Sequence, residues 1–368
     1  MWRVETNTPS SSDPGAISVG GCPCCGGDRS TRWMSVPDRS QSGASGYELL
    51  QCPTCSHVWL GNRPTPEEMS HYYGAKYHSE VGHSGETSPK RWKWHLRVIS
   101  KYKAAGSVLD IGCSSGGFLG YLKGGPWKLH GIEASPPTAE RARATTGAEV
   151  FAGDVLGANF PSESFDLITC MDVLEHLYEP REVLRNVCKW LKPGGIFYVF
   201  VPNILSYEAR IFQSFWYGLD LPRHVHHFTP KSLAHVATSA GLRQVRMVTP
   251  AGCYLEESAW ILVDDLARRA GLRRPSWDLI AKPGIAGRVV RKGLRLSVEA
   301  LFGVVASTFG AASSIQAVFG KDAGPDSAGD KSAEVQGSAK LLKAGISSVT
   351  QPRSLGVEAP GTVKSDPD

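Results

Sequence analysis

The sequence of 368 residues predicts an α/β fold in which one seven-stranded sheet lies between two layers of helices, preceded by a small cysteine-rich segment. Two observations lead to this prediction. From Ser107 onward, short apolar runs alternate with turns and helical stretches, which is typical of a mostly parallel sheet. Ahead of that region, two C-x-x-C pairs stand in a segment too short to build a core of its own.

Composition places the chain among ordinary globular proteins. Hydrophobic residues make up 41% and charged residues 20% of the sequence, and the length suits one large domain with appendages. The formal net charge of +5 permits anionic partners without requiring nucleic acid. Residues 1–20 and 322–368 are rich in Gly, Ser and Pro and lack apolar periodicity, so we expect both stretches to be disordered.

The cysteine pattern and the first residues bear on the compartment. The chain has nine cysteines, and those outside the C-x-x-C pairs are scattered, which suits metal ligation better than a disulfide framework. No charged-then-apolar signal opens the sequence. We therefore expect a cytoplasmic protein without disulfides.

Residues 21–60 predict a zinc-ribbon-like segment. Two C-x-x-C turns flank a predicted strand, Tyr47–Gln51, and four thiolates from two such turns can close a tetrahedral zinc site. The candidate metal ligands are Cys22, Cys25, Cys52 and Cys55. Cys24 and His57 are spare donors, and paired free cysteines without metal are the alternative. Since four thiolates leave no open coordination position, the zinc would be structural.

Residues 61–90 predict a helix followed by a linker or lid. A proline-initiated helix runs from Pro64 to Tyr73, and the residues after it are polar and rich in glycine. A further helix, Arg91–Tyr102, mixes apolar and basic residues and would pack ahead of the first strand of the sheet.

The first strand of the sheet, Ser107–Ile111, ends in a turn that predicts a ligand site. Glycines in this turn let the backbone approach a ligand closely, and the helix that begins near Gly117 presents free N–H groups. Asp110 stands just before the turn, where a carboxylate would repel a pyrophosphate. It would favour a cationic or hydroxyl-bearing ligand, such as an amino acid joined to a nucleoside. A glycine-rich turn without a ligand is the alternative.

The turn reads D-x-G-x-S-x-G from Asp110 to Gly116, and it resembles the first motif of class I S-adenosylmethionine-dependent methyltransferases. Ser114 stands where that family usually has glycine. The run 165–195, with D-V-L-E-H-L and L-K-P-G-G, resembles the small-molecule branch that includes the ubiquinone O-methyltransferases. This resemblance implies a Rossmann-like, seven-stranded methyltransferase sandwich over residues 91–321, and it implies S-adenosylmethionine as the cofactor.

Acidic residues at later turns complete the predicted cofactor site. Glu133 ends the second strand, Trp127–Glu133, where a carboxylate can accept hydrogen bonds from both ribose hydroxyls. The resemblance implies that Asp154 bonds the adenine amino group. The predicted cofactor-binding residues are Asp110, Gly112, Ser114, Gly116, Glu133, Asp154, Val155 and Asp172.

The remaining elements follow from apolar runs and helical periodicity. We expect the seventh strand to be an antiparallel edge strand that follows a helical insertion, residues 256–312. The third to seventh strands are predicted at Ala148–Phe151, Phe165–Met171, Ile196–Val201, Leu242–Val248 and Ser313–Lys321. Helices are predicted at Glu140–Ala144, Tyr207–Tyr217 and Ser232–Ala240.

A histidine-rich segment, Gly218–Pro230, is the predicted site of substrate chemistry. Its D-x-P-R-H-x-x-H-F pattern resembles bacterial relatives that also carry an N-terminal cysteine-knuckle segment. Histidine titrates near neutrality and can take a proton from a hydroxyl as a methyl group moves. The candidate catalytic bases are His227, His224 and His226. The alternative is that these histidines hold the loop by hydrogen bonds.

Two neighbours of the fourth strand also have two interpretations. Glu175 and His176 follow Asp172 in the D-V-L-E-H run. They either cap and orient the next helix or contact the substrate.

The insertion is rich in arginine and lysine and ends in an apolar stretch. The favoured interpretation is a helical cap over the active site with a solvated basic edge. A basic amphipathic helix can also lie on an anionic membrane, so peripheral contact of residues 285–312 with the inner face of a membrane is the alternative. Ala300–Gly320 contains no charge, but its Ser, Thr, Gln and Gly content argues against a spanning helix.

These features predict methyl transfer from S-adenosylmethionine to a hydroxyl, or a carbon, of a small molecule, sugar or surface-glycan precursor. The zinc segment resembles modules of sugar C-methyltransferases, which favours a sugar. One alternative is a ribosomal-RNA or other nucleic-acid methyltransferase that recognises RNA through the zinc segment. Against it, the fourth strand is followed by no N/D-P-P-Y element to stack a flipped adenine. A non-catalytic, cofactor-binding scaffold is the other alternative, and the sequence does not predict the oligomeric state.

Overall fold

The structure, a computed structural model, contains a seven-stranded sheet and a four-stranded sheet with helices packed around them. This architecture confirms the predicted α/β sandwich. The residues that it describes are 17–18, 21–38, 46–73, 88–250, 254–271 and 310–322.

The cysteine-rich segment forms short strands. They are β1 (Ile17–Ser18), β2 (Thr31–Val36), β3 (Tyr47–Gln51), β4 (Val58–Leu60) and β5 (Asn62–Arg63). β3 lies where the sequence predicts it. β1 falls inside the stretch predicted to be disordered, because its backbone pairs antiparallel with that of β5.

Eight more strands follow along the chain. They are β6 (Gly106–Ile111), β7 (Trp127–Glu133), β8 (Glu149–Ala152), β9 (Phe165–Met171), β10 (Leu191–Pro202), β11 (His226–His227), β12 (Arg243–Val248) and β13 (Ser314–Gly320). The seven-stranded sheet has the order β12-β13-β10-β9-β6-β7-β8. Strands β6 to β10 pair in parallel, so their carboxyl ends meet at one edge of the sheet, where ligands bind in this type of fold.

The position of β13 differs from the prediction. This strand is antiparallel, as expected, but it lies between β10 and β12, so β12 is the edge strand. The residues explain the arrangement. Every residue of β13 is buried, whereas β12 begins with the exposed residues Arg243, Gln244 and Val245. A fully buried strand suits the interior of a sheet and a charged strand suits its edge.

Helices cover both faces of the seven-stranded sheet. Their ranges are Pro66–Met69, Pro89–Ile99, Gly117–Leu122, Pro136–Thr146, Pro180–Trp190, Tyr207–Phe212, Pro230–Ser239 and Tyr254–Arg269. Short 3₁₀ turns lie at Ser70–Tyr73, Val155–Gly157, Leu174–His176, Gln213–Phe215 and Tyr217–Leu219. The helix predicted to reach Tyr217 ends at Phe212, because Gln213 has a φ of +50°, which does not continue a right-handed helix.

The two sheets share one hydrophobic core. β11 comes from the histidine-rich segment, yet it is the outer strand of the four-stranded sheet, whose order is β11-β4-β3-β2. Trp59 of β4 belongs to the same buried cluster as Leu174, Phe228 and Leu233 of the large domain. The cysteine-rich segment is therefore packed directly onto the side of the large domain that carries the histidines.

The helix Tyr254–Arg269, which contains the start of the predicted insertion, packs against the residues just before the histidine-rich segment. The ring of Tyr254 lies 5.9 Å from that of Trp216, and the Tyr217 N–H donates to Ser258 Oγ at 2.9 Å. The described start of the predicted insertion, residues 256–269, is thus helical.

Several predictions fall on other parts of the chain. Residues 272–309, which hold most of the predicted membrane-contacting stretch, lie outside the described residues, as do residues 74–87 of the predicted linker and 323–368 of the predicted tail. Among the helices that the structure describes, none is long and apolar enough to cross a membrane.

Candidate active site

The glycine-rich turn after β6 follows a path that needs its glycines. Gly112 and Gly116 have φ values of +71° and +90°, and Ser114 adopts a left-handed +48°. A Cβ on Gly112 would lie 2.4 Å from Val173 Cγ2 of the neighbouring loop. The turn therefore passes close to the loop that follows β9, and both face the carboxyl edge of the sheet.

Asp110 is a buried carboxylate at the end of β6. The Thr169 hydroxyl of β9 donates to its Oδ1 at 2.6 Å. Burial raises the pKa of Asp110 to about 7, although this hydrogen bond opposes the effect. A nearby cationic ligand would stabilise the ionised form, because an opposite charge offsets desolvation.

Glu133, at the end of β7, links two loops of the site. Its Oε2 accepts the Ser114 N–H at 3.0 Å, and its Oε1 accepts the Ser135 N–H at 2.9 Å. Each carboxylate oxygen has two lone pairs, so each can also accept a hydrogen bond from a hydroxyl group. The carboxylate thus has the capacity required of a ribose ligand.

The turn after β8 holds the other predicted adenine-side residues. The Gly153 N–H donates to the Glu133 carbonyl at 2.9 Å, which ties this turn to the end of β7. Asp154 is exposed, and its Oδ1 caps the following turn by accepting the Leu156 N–H at 2.7 Å. Val155 is buried in the core.

Asp172 follows β9 directly and has a left-handed φ of +54°. Its Oδ2 lies 2.7 Å from Nη2 of Arg91, on the helix Pro89–Ile99. Arg91 cannot be recognised from the sequence as a site residue, since it is one of several basic residues in this stretch. The ion pair places this helix beside the carboxyl edge of the sheet.

A second group of polar side chains lies beside the predicted cofactor loops. Glu175 is 1% exposed, and neither of its carboxylate oxygens has a hydrogen-bond partner among the described residues. Burial, together with the charge of Asp172, raises its pKa well above the usual value. His224 Nε2 lies 4.0 Å from Glu175 Oε1 and 3.8 Å from Asp220 Oδ2.

The orientations of His224 and His176 are fixed by their Nδ1 atoms. His224 Nδ1 lies 2.9 Å from the Gly218 carbonyl and donates to it, so Nε2 carries a lone pair. His176 Nδ1 lies 3.0 Å from the Arg223 carbonyl and 2.9 Å from the Tyr73 hydroxyl. Burial lowers the pKa of His176 to about 3. Three potential metal-ligand atoms lie within 4.8 Å of one another, close enough to hold a metal ion; they belong to Glu175, His176 and His224.

The other two predicted bases lie on β11. His226 Nδ1 is 3.0 Å from His57 Nε2, and His226 Nε2 is 3.4 Å from the Tyr178 carbonyl, so both ring nitrogens face partners. His227 is 3% exposed, and burial lowers its pKa well below the usual value. Of the three histidines, only His224 faces the buried Glu175 in the described structure.

The four predicted metal ligands come together in the cysteine-rich segment. Their ligand atoms lie within 4.8 Å of one another, with 3.5 Å separating Sγ of Cys22 from that of Cys55, and Sγ of Cys25 from that of Cys52. A zinc–sulfur distance of about 2.3 Å corresponds to sulfur–sulfur edges of about 3.8 Å in a tetrahedron. The four residues therefore fit a tetrahedral zinc ion.

The two cysteine turns have the same backbone design. In each, the first cysteine accepts an N–H four residues later and donates to a carbonyl five residues later. Gly26 and Ser56 occupy the left-handed position, with φ values of +74° and +64°. The hydrogen bond with Cys55 and burial raise the pKa of Cys22, and burial raises that of Cys25. Burial also opposes ionisation of Cys52, but backbone hydrogen bonds from Cys55 and Thr54 outweigh it and lower the pKa of Cys52 to about 7, so Cys52 is the ligand most readily ionised.

The parallel sheet, the glycine-rich turn and the acids at the ends of β6 and β7 define a nucleoside-binding α/β enzyme. Comparison with known proteins is more specific. The family described as "Methyltransferase domain" matches residues 87–246.

Two relatives named as methyltransferases support the same assignment. The ubiquinone biosynthesis O-methyltransferase of Thiobacillus denitrificans is 30% identical over 171 residues, covering 43% of this chain and 72% of that protein. The enzyme of the same name from Paraburkholderia phymatum is 33% identical over 181 residues, with the same coverage. A solved methyltransferase from Thermotoga maritima has 17% identity and a TM-score of 0.45, covering 69% of this chain and 99% of its own.

The chain belongs to the class I S-adenosylmethionine-dependent methyltransferases. The predicted enzyme class and its methyl donor are thereby confirmed. The contacts of individual residues with the donor stay predictions, since no comparison tests them.

Proposed function

We propose that the enzyme methylates a hydroxyl oxygen of a small molecule held beside Glu175, His176 and His224. The observation that carries the proposal is the buried carboxylate of Glu175, which has no hydrogen-bond partner among the described residues and faces His224. A buried polar group without a partner is costly, so such a group commonly serves a ligand. The relatives named as ubiquinone O-methyltransferases support a small-molecule acceptor.

His224 is the proposed general base. Its Nδ1–H is held by the Gly218 carbonyl, which leaves the Nε2 lone pair available for the hydroxyl proton. The carboxylate of Asp220, 3.8 Å from Nε2, stabilises the imidazolium that results. Glu175 lies 4.0 Å from Nε2, and its raised pKa favours the protonated carboxyl, which can donate a hydrogen bond to the acceptor. Bound S-adenosylmethionine supplies a methyl group on a positively charged sulfur, which requires little further activation.

The cofactor loops bind and orient the donor. The amino-acid part of the donor lies against the turn after β6, which contributes Asp110, Gly112, Ser114 and Gly116. Glu133 accepts hydrogen bonds from the ribose hydroxyls. Asp154 faces the adenine, with Val155 supporting its turn, and Asp172 lies between the donor and the acceptor. Holding both reactants at attack geometry lowers the activation barrier by several kcal/mol.

Structural zinc at Cys22, Cys25, Cys52 and Cys55 belongs to the same proposal. The proposed acceptors include a sugar or a surface-glycan precursor, because methylation of a sugar hydroxyl needs the same base. If the methyl group were transferred to carbon, His224 would accept a proton from that carbon instead of from a hydroxyl.

The test is release of S-adenosylhomocysteine from purified enzyme, S-adenosylmethionine and a panel of catechols, other phenols and nucleotide sugars. The critical variant is His224→Asn, whose amide nitrogen can still donate to Gly218 while the Nε2 base is lost. We expect kcat to fall by about 10²-fold to 10⁴-fold with an unchanged Kd for S-adenosylmethionine. His235→Asn, on an exposed helix position, is the matched control.

Two results would contradict the proposal. One is turnover of a nucleic acid but of no small molecule. The other is a His224→Asn enzyme as fast as the wild type on its best acceptor.

A specific observation favours a second arrangement of the same site. Glu175, His176 and His224 could hold a divalent cation that binds the acceptor oxygen and lowers its pKa. In that case a chelator that leaves the thiolate zinc in place would abolish turnover, and added Mg²⁺ or Mn²⁺ would restore it. Insensitivity to the chelator would favour His224 acting alone.

A further inference from the structure

The cysteine-rich segment and the proposed acceptor site meet at one buried pair of histidines. His57 directly precedes β4 and is 0% exposed, and His226 on β11 is 1% exposed. His57 Nε2 lies 3.0 Å from His226 Nδ1. The ring of His57 also packs 5.0 Å from that of Phe228. Neither histidine belongs to the four-cysteine cluster or to the group around Glu175.

The surrounding atoms determine which nitrogen of each ring carries its proton. His226 Nε2 faces the Tyr178 carbonyl, which only accepts, so this nitrogen is the donor and His226 Nδ1 is the acceptor. His57 must then donate from Nε2. Its Nδ1 is consequently unprotonated, in agreement with the absence of a hydrogen-bond partner for this atom among the described residues. The direction of the bond is thus from His57 to His226.

Backbone hydrogen bonds extend this contact to the acceptor site. The Leu60 N–H of β4 donates to the Val225 carbonyl at 3.0 Å, and the Val225 N–H donates to the Glu175 carbonyl at 3.0 Å. Val225 also stands between His224 and His226 in the chain. One residue therefore connects the cysteine-rich segment to both groups that face the proposed acceptor.

We infer that His57 is a positioning residue: its hydrogen bond to His226 fixes β11 against β4, and so holds His224 and Glu175 in place. The backbone pairing of β11 with β4 provides only two residue pairs, His226 with Trp59 and His227 with Val58. A strand this short depends on side-chain contacts for its register. The roles of His224 and Glu175 rest on the proposed function, but the test below needs no acceptor.

The first measurement uses the wild-type, zinc-loaded full-length protein labelled with ¹⁵N-histidine. Long-range proton–nitrogen correlation distinguishes the two neutral tautomers of each ring. We expect the Nε2–H form for both His57 and His226. An Nδ1–H form of His226 together with an Nε2–H form of His57 would leave two donors facing each other, and it would overturn the inference without any variant.

The second measurement compares His57→Phe, which keeps ring volume without a donor, with His57→Gln, whose amide nitrogen can replace Nε2–H. Amide hydrogen exchange is followed for residues 222–229 and, as the internal control, for residues 108–118 of the cofactor loop. We expect exchange in 222–229 to rise by about fivefold or more in His57→Phe, as loss of one buried hydrogen bond predicts, and to recover in His57→Gln. Zinc content and the Kd for S-adenosylmethionine should match wild type in both.

The outcomes are separable. Equal exchange in His57→Phe and wild type would overturn the inference, and so would an equal increase in both variants, which would indicate only a packing role. If the signatures appear and no small molecule is methylated, the proposed function fails while the positioning role of His57 stands.

Discussion

Substitution of Asp110 should weaken the binding of S-adenosylmethionine while it stabilises the folded protein. This carboxyl is buried, and its pKa is raised from 3.8 to about 7 in the folded protein. Each pKa unit corresponds to about 1.36 kcal/mol, so keeping Asp110 ionised destabilises the folded state by about 4 kcal/mol. The folded state binds this proton more tightly than the unfolded state does. The destabilisation is therefore absent below about pH 4, grows as pH rises, and is complete above about pH 7.

Asp110→Asn removes that charge and keeps an oxygen that can accept the Thr169 hydroxyl proton. We expect the free energy of unfolding of the variant to exceed that of wild type by up to about 4 kcal/mol at pH 8, and by about 2 kcal/mol at pH 5. Urea unfolding at both pH values measures the difference. At the same time, calorimetric titration at pH 8 should show a large loss of affinity for S-adenosylmethionine.

Asp154→Asn is the matched control, because Asp154 is exposed and asparagine can cap the same turn. Its free energy of unfolding should differ little from that of wild type. Two results would contradict a destabilising charge on Asp110. One is an Asp110→Asn protein that is less stable than wild type at pH 8. The other is a difference in the free energy of unfolding between variant and wild type that does not shrink from pH 8 to pH 5.

Three further changes have defined outcomes. Glu133→Gln leaves one oxygen to accept two loop N–H groups, so titration should show affinity for S-adenosylmethionine at least about tenfold weaker, and unchanged affinity would contradict the role of Glu133. Gly112→Ala adds a Cβ 2.4 Å from Val173 Cγ2 and should lower the free energy of unfolding by about 1–3 kcal/mol beyond the loss in Gly124→Ala, which has the same sign of φ but open space. Cys52→Ser should lose the zinc measured by elemental analysis and unfold at lower urea; a full complement of zinc would mean that the metal lies elsewhere.

The parallel part of the fold could be predicted from the sequence because β6, β9 and β10 contain apolar runs and turns separate the strands from β6 to β10. The position of β13 could not be predicted, because β13 follows the long insertion and could pair with the edge of either of two strands. β11 has only two residues, too few for any periodicity. Local pattern thus predicts the elements, and long-range pairing decides their neighbours.

The candidate site was predictable to a similar degree. Asp110, Glu133 and Asp172 follow strands, so their place at the carboxyl edge follows from topology. Which histidine can act as a base depends instead on nonlocal partners: a carbonyl holds Nδ1 of His224, whereas His57 and Tyr178 face both nitrogens of His226. The sequence does not reveal such partners, because they come from distant segments.

The interior position of β13 has a consequence for synthesis on the ribosome. Until residues 314–320 emerge, the outer edge of β10 has no antiparallel partner, and β12 has no strand to pair with. All of the insertion must be translated before that gap closes, and an open strand edge invites pairing with other chains. Nascent chains truncated just before β13 should therefore be the species that chaperones capture, and adding those seven residues should release them.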